Sequence, residues 1–290
     1  MNGILLIDKP EGWTSNDVVQ KLRGMLRERR IGHSGTLDPM ATGLLVVFVG
    51  RATRAVEFAE QHDKRYVAGL RLGLTTDTQD ITGNTISNSD TLPTEQELIN
   101  ALDKFKGEIS QVPPMYSAIK VNGQRLYEIA RRGGEVERKA RQIKIHSLEL
   151  IGRQDEDYLL DVRCSKGTYI RTLCNDLGES LGCGGCMSSL RRIEAGRFSL
   201  ENTVTLQQVQ DYVNRGEAES LLIPVDKLFD HYPECTVNDF QEKRLRCGTL
   251  VDVELPHGEY RVYSKTGEFL LLGIVNNRVL TTVKNFFEVK

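Results

Sequence analysis

Apolar residues along this chain recur with two different periods, and the changes of period mark out its elements. The run ILLID at 4–8 predicts a short buried strand, and the turn-forming KPEGWTS follows it. Ser15 or Asn16 can cap the next element, a helix carrying Val18, Val19, Leu22, Met25 and Leu26 on its apolar face. Residues 44–49 form an unbroken apolar run, a second buried strand. KRYVAGLRLG at 64–73 alternates, with Tyr66, Ala68, Leu70 and Leu72 on one face and Arg65, Val67 and Arg71 on the other, which predicts a half-buried strand. Thr94 and Glu97 make a capping box ahead of Leu98, Leu102 and Phe105, so a helix follows the polar loop 75–91. Residues 111–136 are turn-rich at first and then helical, until Gly133 and Gly134 stop the helix. QIKIHSLELI and EDYLLDVRCS alternate again and suit a hairpin. TYIRTLCNDLGESLG returns to helical spacing through Ile170, Leu173, Cys174, Leu177 and Leu181.

Past about residue 235 the texture becomes short strand-like runs between turns: LVDVEL, EYRVYS, FLLLGIV and VLTTVKNF. A small β domain is expected there, joined through IPVDKLFDHYPE (223–234) as a connection. A length of 290 residues and 39% hydrophobic content suit one large domain plus this small one. No apolar run approaches membrane-spanning length, and Asp8 and Lys9 come too early for a signal peptide, so a cytoplasmic location is expected. Six irregularly spaced cysteines read as reduced thiols, and the lone CxxC of Cys183 and Cys186 lacks the further ligands of a zinc site. The net charge of −2 conceals four basic clusters, at 21–30, 131–144, 190–197 and 243–246. Alone, each would read as a solvated face; together they allow an extended polyanion track.

The candidate chemistry centres on GHSGTLDPMATGLL at 32–45, where Asp38 is set between small residues and the rigid Pro39, immediately before the apolar strand. Alone, a turn-forming Asp explains this position. The chain has no P-loop, no dinucleotide fingerprint, no HExxH and no GxSxG. DPMAT resembles the aspartyl-phosphate motif of haloacid dehalogenases, but the second Asp is missing and the strand follows the candidate nucleophile rather than preceding it. An RNA-binding module without chemistry is the stronger rival, since basic clusters and a β domain would serve it equally well.

KPEGWTS, GHSGTLDPMATGLL, KRYVAGLRLG, PPMYSAIKVNGQRLYEIAR and CSKGTYIRTLCNDLG occur in this order. On these motifs the chain closely resembles the bacterial TruB family of tRNA pseudouridine synthases, from residue 3 to about 230. The tail resembles a PUA RNA-binding domain more loosely, and GGCM at 184–187 departs from the family's GAHL-like segment. The resemblance implies an α+β pseudouridine synthase fold: a mixed, mainly antiparallel central sheet flanked by helices and loops, plus a small C-terminal PUA-like β domain. It implies a catalytic domain over 1–230, with an RNA-binding insertion at about 105–145, and an RNA-binding domain over 235–290.

The same resemblance implies isomerisation of uridine 55 in the tRNA T loop, with neither cofactor nor metal. Asp38 matches the catalytic carboxylate, acting as nucleophile or as base on the sugar, and Arg171 matches the arginine that pairs with it. Tyr66 matches the residue that stacks on the target base, Tyr169 a second substrate-contacting tyrosine and Leu190 an apolar wall. His33 matches the side chain that fills the space left by the extruded base. Lys9 and Pro10 match a motif supporting the catalytic loop, and Asp80 an acidic position near the site. The implied partner is the tRNA T-arm stem-loop, bound by a monomer without a membrane or an obligatory protein partner.

Overall fold

The computed structural model describes residues 1–117, 119–121, 123–130 and 132–288. Its framework is a nine-stranded sheet whose main path runs Gly3–Lys9, Thr42–Val49, Gly185–Ala195, Lys64–Leu72, Asp157–Cys164, Arg141–Gln154 and Gly107–Gln111. Ile31–Ser34 and Phe198–Ser199 pair at the side of this path, with Thr42–Val49 and Gly185–Ala195 respectively. Every adjacent pair is antiparallel except Thr42–Val49 against Gly185–Ala195, where Arg191 and Arg192 lie beside Thr42 and Gly43. The sheet is therefore mixed and mainly antiparallel, as expected.

The close approach at that one parallel pair depends on Gly43. Its φ is +96°, and a side chain there would run into the backbone of Arg192. The helix Ile170–Ser180 meets the sheet in a comparable way: a Cβ on Gly178 would overlap the backbone of Gly184 and Gly185. Gly178, together with Gly185, whose own Cβ would crowd the Cys174 carbonyl, lets the helix lie close on the sheet.

Alternation holds in Lys64–Leu72, where Tyr66, Ala68, Leu70 and Leu72 are all buried. They pack with Leu98, Leu102, Leu173, Leu177 and Leu190 in a core that includes Leu37 and Ala41 of the Asp38 loop. Helices Ser15–Leu26 and Leu206–Asn214 cover Leu5, Ile7, Leu45 and Val47 elsewhere on the sheet.

Several sequence expectations change. Thr14, not Ser15 or Asn16, caps the first helix, in a reciprocal box with Asp17. Within the polar loop 75–91, Leu74–Thr76 and Thr85–Asn88 pair as a small hairpin. The expected connection 223–234 is partly core: Val225, Leu228 and Phe229 are buried with Ile4, Leu44, Leu272 and Phe286. Phe229 lies 5.2 Å from the Phe58 ring and 5.7 Å from the Phe286 ring, so aromatic packing joins this segment to the short helix Val56–Ala59 and to the residue just after the strand Val279–Asn285. The second sheet has five strands, ordered Glu234–Thr236, Gly258–Tyr263, Phe269–Asn276, Val279–Asn285 and Val251–Asp252, and forms a curled PUA-like unit with its own core.

Among the described residues no helix is long and apolar enough to cross a membrane, and no cluster of side chains could hold a metal ion. Cys183 and Cys186 are buried free thiols.

Candidate active site

The Asp38 loop is fastened from below. Lys9, fully buried at the end of the first strand, donates through Nζ to the carbonyls of Pro10 (2.9 Å), Trp13 (2.6 Å) and Pro39 (3.2 Å). Burial pushes its pKa down to about 8, against the opposing pull of Asp38. Ser15, freed from capping, accepts from the Leu37 amide (2.9 Å) and donates to the Leu37 carbonyl (3.2 Å). Gly12 donates to Pro39 at 2.8 Å, and the Ala41 amide closes the turn on the Asp38 carbonyl at 3.0 Å. The loop's backbone is thereby held on both sides of Asp38 while the carboxylate projects from it.

Arg171 stands in the first turn of its helix and is 5% exposed despite its charge. Its Nε lies 3.1 Å from Asp38 Oδ2 and its Nη1 3.3 Å from Asp80 Oδ2. Nη1 also donates to the Thr78 carbonyl (3.2 Å), and Nη2 donates to the Tyr116 carbonyl (2.7 Å). One guanidinium therefore ties together the Asp38 loop, the turn carrying Asp80 and the segment around Tyr116. Asp80 is brought close by backbone pairing of Gln79 and Ile81 with Met187, and by Thr172 donating to the Gln79 side chain. Its Oδ1 accepts from Thr78 Oγ1 (2.9 Å), Thr82 N (3.0 Å) and Thr82 Oγ1 (2.6 Å).

Asp38 keeps 36% of its side chain open, but protein lines its other sides. Loss of hydration raises its pKa above the usual carboxylate range; Arg171 opposes that rise, Asp80 adds to it and Lys9 opposes it. The result is a carboxylate held in place yet costly to ionise.

Around the pair, Tyr66 and Leu190 are buried in the same core as Leu37. Burial raises the Tyr66 phenol's pKa, with the Arg192 charge opposing it. His33 lies on the strand Ile31–Ser34, its Nδ1 buried without a partner, and burial and Arg192 lower its pKa. Tyr169 precedes the Arg171 helix; Gln111 clamps its amide (2.8 Å) and carbonyl (3.0 Å), and the Arg141 guanidinium lies 5.8 Å from its ring centre. Pro10 contributes its carbonyl to Lys9.

The basic clusters divide. Arg27, Arg29, Arg30, Arg132, Lys139, Lys243 and Arg244 are exposed. The cluster at 190–197 is not a free cationic track: Arg192 is 1% exposed, Arg191 pairs with Asp8 at 2.8 Å and Arg197 pairs with Asp230. Ser15, Gln111, Thr78, Thr82 and Arg192 were not legible as contributors to the site. Ser15 sits where a cap is expected, Gln111 and Arg192 act on residues distant in sequence, and Thr78 and Thr82 bond the neighbouring Asp80, whose own place beside Arg171 only the fold sets.

Two family models match: "TruB family pseudouridylate synthase (N terminal domain)" over residues 23–170, and "tRNA pseudouridylate synthase B C-terminal domain" over 171–230. The tRNA pseudouridine synthase B of Clostridium kluyveri is 42% identical over 292 residues, covering 99% of this chain and 100% of the relative. That of Azoarcus sp. strain BH72 is 47% identical over 274 residues, covering 94% and 91%. Among solved structures, a chain of a Cbf5-Nop10-Gar1 complex aligns with a TM-score of 0.75 at 26% identity, covering 99% of this chain and 85% of that one. Two contiguous family matches and relatives of this identity along nearly the whole length establish that the chain belongs to the TruB family and is a tRNA pseudouridine synthase.

Proposed function

We propose that the protein converts uridine 55 of the tRNA T loop to pseudouridine, with Asp38 as the reacting carboxylate. The reaction breaks the bond between uracil N1 and the ribose, turns the base within the site, and joins C5 to the same ribose carbon. N1 gains a proton and C5 loses one, so no redox cofactor or metal is consumed. Asp38 serves as nucleophile or as base on the sugar, and both roles need it ionised. The observation that carries this reading is the bridged geometry of Asp38, Arg171 and Asp80, in which a guanidinium favours the charged form of an otherwise desolvated acid.

In this reading Tyr66 lies under the target base, Leu190 walls its pocket, Tyr169 contacts the RNA, and His33 occupies the space the extruded uridine leaves. Lys9 and Pro10 support the loop from beneath. Residues 1–230 carry catalysis, with the insertion at about 105–145 contacting RNA, and residues 235–290 add RNA contacts. The enzyme acts in the cytoplasm as a monomer without a protein partner. The test is to incubate pure protein with a T-arm hairpin and assay pseudouridine, beside a hairpin with cytidine at position 55. Pseudouridine at 55 alone is expected; modification elsewhere, or retention of unmodified RNA, would overturn the assignment.

A further inference from the structure

Arg192 is among the largest fully buried side chains, 1% exposed on the central strand Gly185–Ala195. Burying a guanidinium is costly unless its surroundings satisfy it, yet its Nε donates to the Leu44 carbonyl (2.7 Å) and its Nη2 to the Gly35 carbonyl (3.0 Å), neither of them anionic. Those carbonyls bracket the Asp38 loop: Gly35 leads into it and Leu44 leaves it. In the antiparallel register Arg192 is directly opposite Tyr66, and its charge favours the Tyr66 phenolate against the effect of burial. Lys9 and Lys64, both buried, are close enough for the Arg192 charge to lower their pKa values.

A guanidinium has donors only. Toward it the Tyr66 oxygen can only accept, so the phenolic proton points away from Arg192. We propose that Arg192 is a positioning residue for the isomerisation: it locks the Tyr66 hydroxyl and both ends of the Asp38 loop into one unit, and turns the Tyr66 proton toward the uracil. This rests on the reading of Tyr66 as the residue beneath the target base. It also explains why a cation is kept where an apolar side chain would pack more cheaply.

The test is a double-mutant cycle under single-turnover conditions with saturating T-arm RNA, using Arg192→Lys, Arg192→Met, Tyr66→Phe and both double variants. Arg192→Met removes a buried charge that has no anionic partner among the described residues, a change proteins often tolerate, so the cycle does not depend on one variant folding. Each Arg192 substitution is expected to slow the chemical step about 10- to 100-fold, the scale of a misplaced reacting group, with RNA affinity within about twofold of wild type. In the Tyr66→Phe background the same substitutions should have at most about a threefold further effect, because the hydroxyl they position is gone. Multiplicative losses in both cycles, weakened RNA binding with an unchanged rate, or failure of both Arg192 variants to fold would each overturn the positioning role. Wild-type protein that leaves the hairpin unmodified would instead sink the proposed function, so the two failures are distinguishable.

Discussion

Arg171 holds two carboxylates whose surroundings differ sharply. Asp80 is 4% exposed, and one of its oxygens accepts three hydrogen bonds while the other faces the guanidinium. Asp38 has the guanidinium beside it, an open side, and a pKa raised by burial. The saturated carboxylate holds Arg171 and the turn around it in place; the unsaturated one keeps lone pairs free, which the proposed function assigns to the substrate. In the proposed function the same residue type in one network is thus divided between anchoring and reaction by the number of donors supplied to each.

The largest break in that contrast should come from Asp38→Asn. It is expected to abolish pseudouridine formation while tRNA affinity stays within about tenfold, roughly 1.4 kcal/mol, since dispersed phosphate contacts dominate binding. Because Asp38's pKa is raised in the fold, the folded state binds more protons than the unfolded state just above the ordinary carboxylate range. Its contribution to stability therefore falls as pH rises through that window. Asp38→Asn should then melt no lower than wild type at neutral pH. Measured turnover, or a clear loss of stability, would remove the distinction between the two acids.

Arg171→Gln comes next, with an expected loss of about 100-fold in the single-turnover plateau through lost orientation. Without the guanidinium that favours the charged form, the acid limb of the rate should also move upward in pH. A reduced plateau with an unmoved acid limb would mean that Arg171 orients Asp38 without setting its charge.

Asp80→Asn should show the opposite balance to Asp38→Asn. A rate loss of about tenfold is expected from a less firmly held Arg171, with about 1.5 to 3 kcal/mol of stability lost from its charged hydrogen bonds. Denaturant melts beside single-turnover rates would sharpen the comparison. An Asp80→Asn protein as stable as wild type would show that its donors are dispensable.

The last test concerns the support under Asp38, and it reads stability against pH rather than rate. Lys9 has a pKa near 8 in the fold against an ordinary 10.5, so between those values the unfolded state binds the extra proton and stability rises with pH. Relative to Lys9→Met, wild type should gain stability from about pH 8 to pH 10.5, read from paired thermal melts. A difference that stays flat across this window would show that Lys9 remains charged inside the protein.

The second sheet qualifies the expectation of a separable tail. Phe229, Phe269 and Phe286 pack together, and Arg51 donates to the Phe286 carbonyl at 2.9 Å. Removing residues 235–290 would strip cover from Phe229 and Phe58 as well as the RNA contacts proposed for the tail.

The sequence by itself determined the elements whose burial is one-sided and whose spacing is regular: the alternating face of Tyr66 to Leu72, the helix that begins beside Arg171, the strand after Asp38 and the four strand-like runs of the tail. It also marked Asp38 and Arg171 as candidates, through motifs dense enough to be specific. It left the central strand Gly185–Ala195 unrecognised, because register shifts near Met187 and Arg192 break the two-residue period. Only the tertiary structure decided that Arg192 is buried rather than part of a basic surface, that a polar loop carries Asp80 to Arg171, and that 223–234 is partly core. The physical reason is that local propensity is encoded by neighbours in sequence, whereas desolvation, charge pairing and donor supply depend on groups brought together from distant positions, here residues 9, 38, 80, 116 and 171.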